Sequence, residues 1–141
     1  MRTDFYLLST PSLEERDDFA CRLVEKAFLA QQSVYVATES AEHAAAFDQR
    51  LWQFRPDSFV PHEVQQQPHP NTWMPVLIGD AQTHQATGIW VHLSTQPPPA
   101  PLACQRLIEI IPKIPNLQAL ARERFRRYRE LGYTLQTHPI N

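Results

Sequence analysis

Phe5-Tyr6-Leu7-Leu8, Ser12-Leu13-Glu14-Glu15 and Val34-Tyr35-Val36-Ala37 are the stretches that decide the fold. The first is a short apolar run of the kind that forms a buried strand. The second follows Pro11 and carries helix-start chemistry: Ser12 is placed to cap, with Glu15 at the capping-box position. Phe19, Ala20, Leu23, Val24 and Ala27 then recur on one helical face. The third stretch is a second apolar run, rich in valine. Ser40 is placed to cap a second helix, with Ala44, Phe47 and Leu51 on one side. A β-α-β-α opening of this kind predicts an α/β fold with a mostly parallel sheet between helical layers.

Outward from there the pattern changes. Residues 55–75 hold Pro56, Pro61, Pro68, Pro70 and Pro75 and a polar Gln65-Gln66-Gln67 run. They read as a loop with one short strand around Phe59–Val64. Pro75–Ile78 and Ile89–Leu93 read as strands. Residues 96–101 are too rich in proline for a helix and read as an extended linker. Leu102–Ile111 reads as a short apolar helix closed by Pro112 and Pro115. A longer helix is expected from Asn116 to about Leu131, with Gly132 just past its end, and Tyr133-Thr134-Leu135 as a last strand. Nothing divides the 141 residues into two domains or repeats.

Charge is distributed unevenly. The net charge is −2, but residues 1–100 carry 6 basic against 12 acidic side chains, and residues 101–141 carry 7 against 3. An acidic partner is therefore expected at the C-terminal part. Cys21 and Cys104 stand alone, as thiols of a reducing cytoplasm do. No run is apolar enough for a membrane span or a secretory leader.

Several chemistries lack their residues. There are three glycines, Gly79, Gly88 and Gly132. The first two strand-to-helix turns have none, so no backbone loop can cradle a phosphate in the manner of a dinucleotide or Walker fingerprint. No nucleophile elbow is present. The six histidines are scattered, and although His62 and His69 share the proline-rich loop, no spacing suits a zinc site. The carboxylates Glu14, Glu15, Asp17 and Asp18 fit a solvated first helical turn. The chain is expected to bind neither nucleotide nor metal, to need no cofactor and to catalyse nothing by itself.

Two constellations remain. Leu51-Trp52-Gln53-Phe54-Arg55-Pro56-Asp57-Ser58-Phe59-Val60-Pro61-His62 sets three aromatic rings across a helix end and a proline-bounded loop. Trp52 and Phe59 are either docking anchors or a lid folded back on the core. The second is the arginine-rich helix. Leu117, Leu120, Ala121, Tyr128 and Leu131 form its apolar stripe, with Arg124 placed oddly within it, its stem able to pack while its head finds a carboxylate or water. Phe125 lies at the stripe's edge, with Arg122 and Arg129 just beyond. An aromatic shelf between guanidinium groups suits a ligand with both negative charge and an apolar side chain. An amphipathic helix with an arginine-rich solvent face is the plainer alternative.

Over nearly its whole length the chain resembles the DNA polymerase III chi subunit family. The resemblance rests on Phe5-Tyr6-Leu7-Leu8, on Leu51-Trp52 through Pro56 to Ser58-Phe59-Val60-Pro61-His62, and on Leu120-Ala121-Arg122-Glu123-Arg124 with Tyr128-Arg129 and Gly132. It implies a nucleotide-binding-like α/β fold without a nucleotide site. It implies a non-catalytic adaptor in replication, with one face for the psi subunit and the clamp loader and another for the acidic C-terminal tail of single-stranded-DNA-binding protein. By motif match Trp52, Phe59, Val60 and Pro61 belong to the psi face. Ile111, Pro112, Arg122, Phe125 and Arg129 belong to the tail pocket. Position 125 is tyrosine in the family pattern and phenylalanine here, which keeps the stacking surface and loses a hydroxyl. The competing expectation is a small α/β protein that binds nucleic acid directly through its arginine helix.

Overall fold

Ser12 and Ser40 cap the first two helices. Ser12 Oγ accepts the N–H of Glu15 at 3.1 Å and Ser40 Oγ that of His43 at 3.1 Å, each satisfying one of the free amides of a first turn. The computed structural model describes residues 1–65, 74–82, 87–99, 102 and 104–140. In chain order the elements are β1 (Arg2–Leu8), α1 (Leu13–Leu29), β2 (Val34–Thr38), α2 (Ala41–Gln53), β3 (His62–Val64), β4 (Val76–Asp80), β5 (Thr87–His92), β6 (Cys104–Ile111), α3 (Pro115–Glu130) and β7 (Thr134–Ile140).

The strands form one seven-stranded sheet in the order β3-β4-β2-β5-β6-β1-β7, and every described pairing is parallel. Parallel strands buried on both faces become continuous apolar runs. Hence β2 is buried at all five positions. α1 and α2 cover one face, where Ala20, Val24, Phe47 and Leu51 pack on Val34, Val36, Ile78, Val91 and Ile108. α3 covers the other, where Ala121 and Tyr128 pack with Phe5, Tyr35, Trp90, Leu107 and Ile111. Among the described residues no helix is long and apolar enough to cross a membrane.

The expected helix over Leu102–Ile111 is a strand. Leu107, Ile108, Ile110 and Ile111 are all buried and lie between β5 and β1. An apolar run buried on both faces has no period that separates strand from helix. Its β-branched isoleucines favoured the strand. The short strand expected around Phe59–Val64 is confined to His62–Val64. Most of the proline-rich segment beyond it, with Pro68, His69 and Pro70, lies outside the described residues, as do Ala100 and Pro101 of the linker. Gly132 ends α3 as expected, at a φ of 84°. The N–H of Tyr133 meets the carbonyl of Tyr128 at 3.0 Å and that of Gly132 the carbonyl of Arg129 at 3.0 Å, both closing the last turn.

One buried carboxylate ties β1 to both neighbours. Asp4 is fully buried and accepts from Arg106 Nε at 2.7 Å and lies 2.8 Å from His138 Nε2 and 3.2 Å from Arg2 Nε. Burial pushes its carboxyl up, but the bonds to His138 and Arg106 and the charges of Arg106 and Arg2 outweigh that and hold it below its ordinary value of 3.8. Asp17 is likewise held below 3.8: its burial is outweighed by His43 and Arg16. The folded chain thus binds fewer protons than the unfolded one in acid. Stability from these groups is fully present above pH 3.8 and is lost as pH falls through their folded values. Urea midpoints measured from pH 6 downwards are expected to hold until about pH 4 and then drop. The drop is expected to be shallower in Asp4→Asn, and an equal slope in that variant would remove Asp4 from the account.

Candidate functional site

The helix α3 presents different chemistry on its two flanks. Toward β6 it sends Arg124. The guanidinium meets Glu109 Oε1 at 3.2 Å and donates to the carbonyls of Ser94 at 2.9 Å and Gln96 at 3.3 Å. Glu109 is 1% exposed and also accepts the Tyr128 hydroxyl at 2.6 Å. Burial, then the Glu109 charge, push the Tyr128 phenol far up, so it stays a donor. Beside them Trp90 Nε1 donates to His92 Nδ1 at 3.0 Å, which leaves His92 Nε2 to donate to the Gln96 carbonyl at 2.7 Å. Burial holds the His92 pKa down, so the ring stays neutral. Arg124 is thus a core strut, which accounts for its place on an apolar stripe.

Toward β1 and β7 the helix presents Arg122, Phe125 and Arg129, spaced to share one flank. Phe125 is half-buried, its ring 5.4 Å from that of Phe5, and the Arg129 guanidinium lies 5.0 Å above it. Arg122 is exposed. By strand alternation Phe5, Leu7, Ile111, Thr137 and Pro139 face the same side, and Leu7 pairs with Ile111 on one neighbour and Pro139 on the other. Leu7 remains 38% exposed, and Thr137 and Pro139 are exposed. Of the expected tail-pocket residues, Arg129 lies over Phe125, Phe125 packs against the core cluster that holds Ile111, and Arg122 shares the helix flank by its spacing. Pro112 continues from Ile111. Both are buried, so neither offers open surface to a ring. They form a wall, and the open apolar surface is Leu7 with Pro139. Sequence reasoning missed these two, because β7 was assigned only to Leu135 and its register on β1 could not be read.

On the opposite sheet face, at the end of α2, Trp52 is 40% and Phe59 70% exposed. Their rings lie 5.5 Å apart, and the Trp52 ring lies 4.0 Å from His62. The two rings are therefore exposed and do not fold back on the core as a lid. Val60 is different: at 2% exposure it belongs to the core, so it fixes the loop and offers no side chain to a partner. Pro61 is half-buried. His62 bonds the Val60 carbonyl at 2.6 Å and lies 3.1 Å from Asp48, which accounts for it as a structural group. Among the described residues no three metal-ligating side chains converge.

The family model described as "DNA polymerase III chi subunit, HolC" matches residues 1–136. The chain is 31% identical to the DNA polymerase III subunit chi of Pseudomonas aeruginosa over 99% of its length and 96% of that protein's. It is 28% identical to the subunit of the same name from Escherichia coli over 94% of both chains. It also superposes on the crystal structure of T4 UvsW with a TM-score of 0.63 at 10% identity, over 98% of this chain and 41% of that one. At that identity the likeness is one of fold.

Proposed function

This chain belongs to the DNA polymerase III chi subunit family, an accessory role in DNA replication, and on that premise we propose that it is a two-faced adaptor. The Trp52–Phe59 face takes the psi subunit and through it the clamp loader. The Arg122–Phe125–Arg129 flank takes the acidic C-terminal tail of single-stranded-DNA-binding protein. The observation that carries this reading is the placement of an exposed Trp52–Phe59 pair on one face of the sheet and a half-buried Phe125 flanked by the exposed Arg122 and Arg129 on the other. The first lies in an acidic half of the chain and the second on a basic helix, so the two suit different ligands.

In this reading the guanidinium of Arg122 meets the terminal carboxylate or nearby acidic side chains of the tail, and the terminal Phe ring lies against Phe125, Leu7 and Pro139. The test compares the tail peptide with the same peptide lacking its final Phe. Loss of that residue is expected to weaken binding at least roughly tenfold, since a fully buried aromatic side chain contributes about 1.5–3 kcal/mol. Arg122→Lys keeps the charge but loses the planar fork, and is expected to weaken binding too. Affinity is expected to fall as salt rises, because the charges are exposed. Equal binding of the two peptides, or tight binding of bare single-stranded DNA abolished by Arg122→Ala, would mean that the helix reads phosphate backbone instead.

A further inference from the structure

The sheet order sets β2 beside β5, and the chain leaves their carboxyl ends in opposite directions, from β2 through α2 toward β3 and from β5 toward β6. In open α/β sheets such a divergence makes the crevice in which ligands bind. Here the crevice holds a side chain of the protein itself. Glu39, between β2 and α2, accepts the Thr95 N–H at 2.6 Å and the Ser94 hydroxyl at 2.8 Å on Oε2, and the Thr95 hydroxyl on Oε1. The turn that supplies these donors is fixed from behind. Its Ser94 and Gln96 carbonyls are held by Arg124 and the Gln96 carbonyl also by His92, while Ser94 Oγ accepts the Gln96 N–H at 3.0 Å. Carbonyls thus face cationic and N–H groups on one side, and the donors converge on a carboxylate on the other. Ser94 is buried and Glu39 lies exposed at the mouth.

We propose that this crevice retains an oxyanion seat, built by Ser94 and Thr95, which the chain fills with its own Glu39 carboxylate. The ligand class is a phosphate or carboxylate group, and Glu39 is its tethered competitor. A carboxylate on so short a tether has an effective concentration on the order of millimolar or higher, so a free anion enters the intact protein poorly. The seat is separate from the α3 flank and does not depend on the adaptor reading.

The experiment titrates inorganic phosphate, and acetate in parallel, into the full chain and into Glu39→Ala at constant ionic strength set with chloride. Thermal midpoint and the Thr95 amide resonance are followed. Glu39→Ala is expected to show a saturable rise in midpoint and a shifted Thr95 amide with at least one of the two anions. Its half-saturation should fall at least roughly tenfold below any seen in the intact protein, since the tethered competitor is gone. Adding Thr95→Val, which removes one of the three donors, should weaken the response of both the midpoint and the residue-95 amide. Should Glu39→Ala fail to fold, Glu39→Gln keeps the length without the charge and is expected to give the same ordering with a smaller gain. Absence of a saturable response in the folded variant, an equal response in the intact protein, or a response left unweakened by Thr95→Val would overturn the proposal.

Discussion

Arg124→Ala is expected to cost about 3–5 kcal/mol of folding stability, the range for removing one partner of a buried ion pair. The reason is what stays behind. Glu109 is 1% exposed and would keep only the Tyr128 hydroxyl, while the carbonyls of Ser94 and Gln96 would lose the guanidinium that holds them. A buried charge without its partner costs more than the pair contributed. The double variant Arg124→Met with Glu109→Leu removes both charges and is expected to recover most of the loss, so the two single losses should fail to add. Urea denaturation of the four proteins measures this directly. A loss under about 1 kcal/mol for Arg124→Ala, the size of an exposed pair, would show that solvent reaches the site.

Arg124 also shows where the sequence is legible and where it stops. Its place within an apolar stripe was visible from helical period alone, and that misfit is the mark of a buried polar strut. Its partner was not visible, because Glu109 lay in a segment that reads as a helix and is strand β6. Contacts between β6 and α3 depend on register, and register is a tertiary property. The opening β-α-β-α order, by contrast, rests on local signals: serine caps, a 3.6-residue period and short valine-rich runs. These survive into the structure because helix caps and strand propensity act within a few residues. The same division applies to the candidate surfaces. Arg122, Phe125 and Arg129 share a flank by helix geometry, so sequence placed them together. Leu7 and Pro139 join them only through parallel pairing across β1, which no local pattern encodes. Trp52 and Phe59 stood between core and surface until burial decided, and Val60, one residue on, went to the core because the loop turns inward there.

Phe59→Ala is expected to weaken binding of the psi subunit by about 2–4 kcal/mol, roughly 30- to 800-fold, the range for an aromatic anchor at an interface. Its cost in stability is expected to stay within about 0.5 kcal/mol, because surface positions rarely contribute more and the ring is 70% exposed. Trp52→Ala is expected to lose binding by a similar factor, but it is the less clean variant. The indole lies 4.0 Å from His62 and is only 40% exposed, so removing it opens water to a buried imidazole that bonds the Val60 carbonyl and neighbours Asp48. A stability loss of about 1–2 kcal/mol should accompany it, from buried apolar area alone. The two variants together separate packing from recognition: packing follows Trp52, and recognition follows both rings. Calorimetric titration with psi, alongside urea melts of each variant, reads the two quantities independently. Full affinity in a folded Phe59→Ala would place the psi contact elsewhere on the molecule, and an unfolded Phe59→Ala would contradict the exposure of its ring.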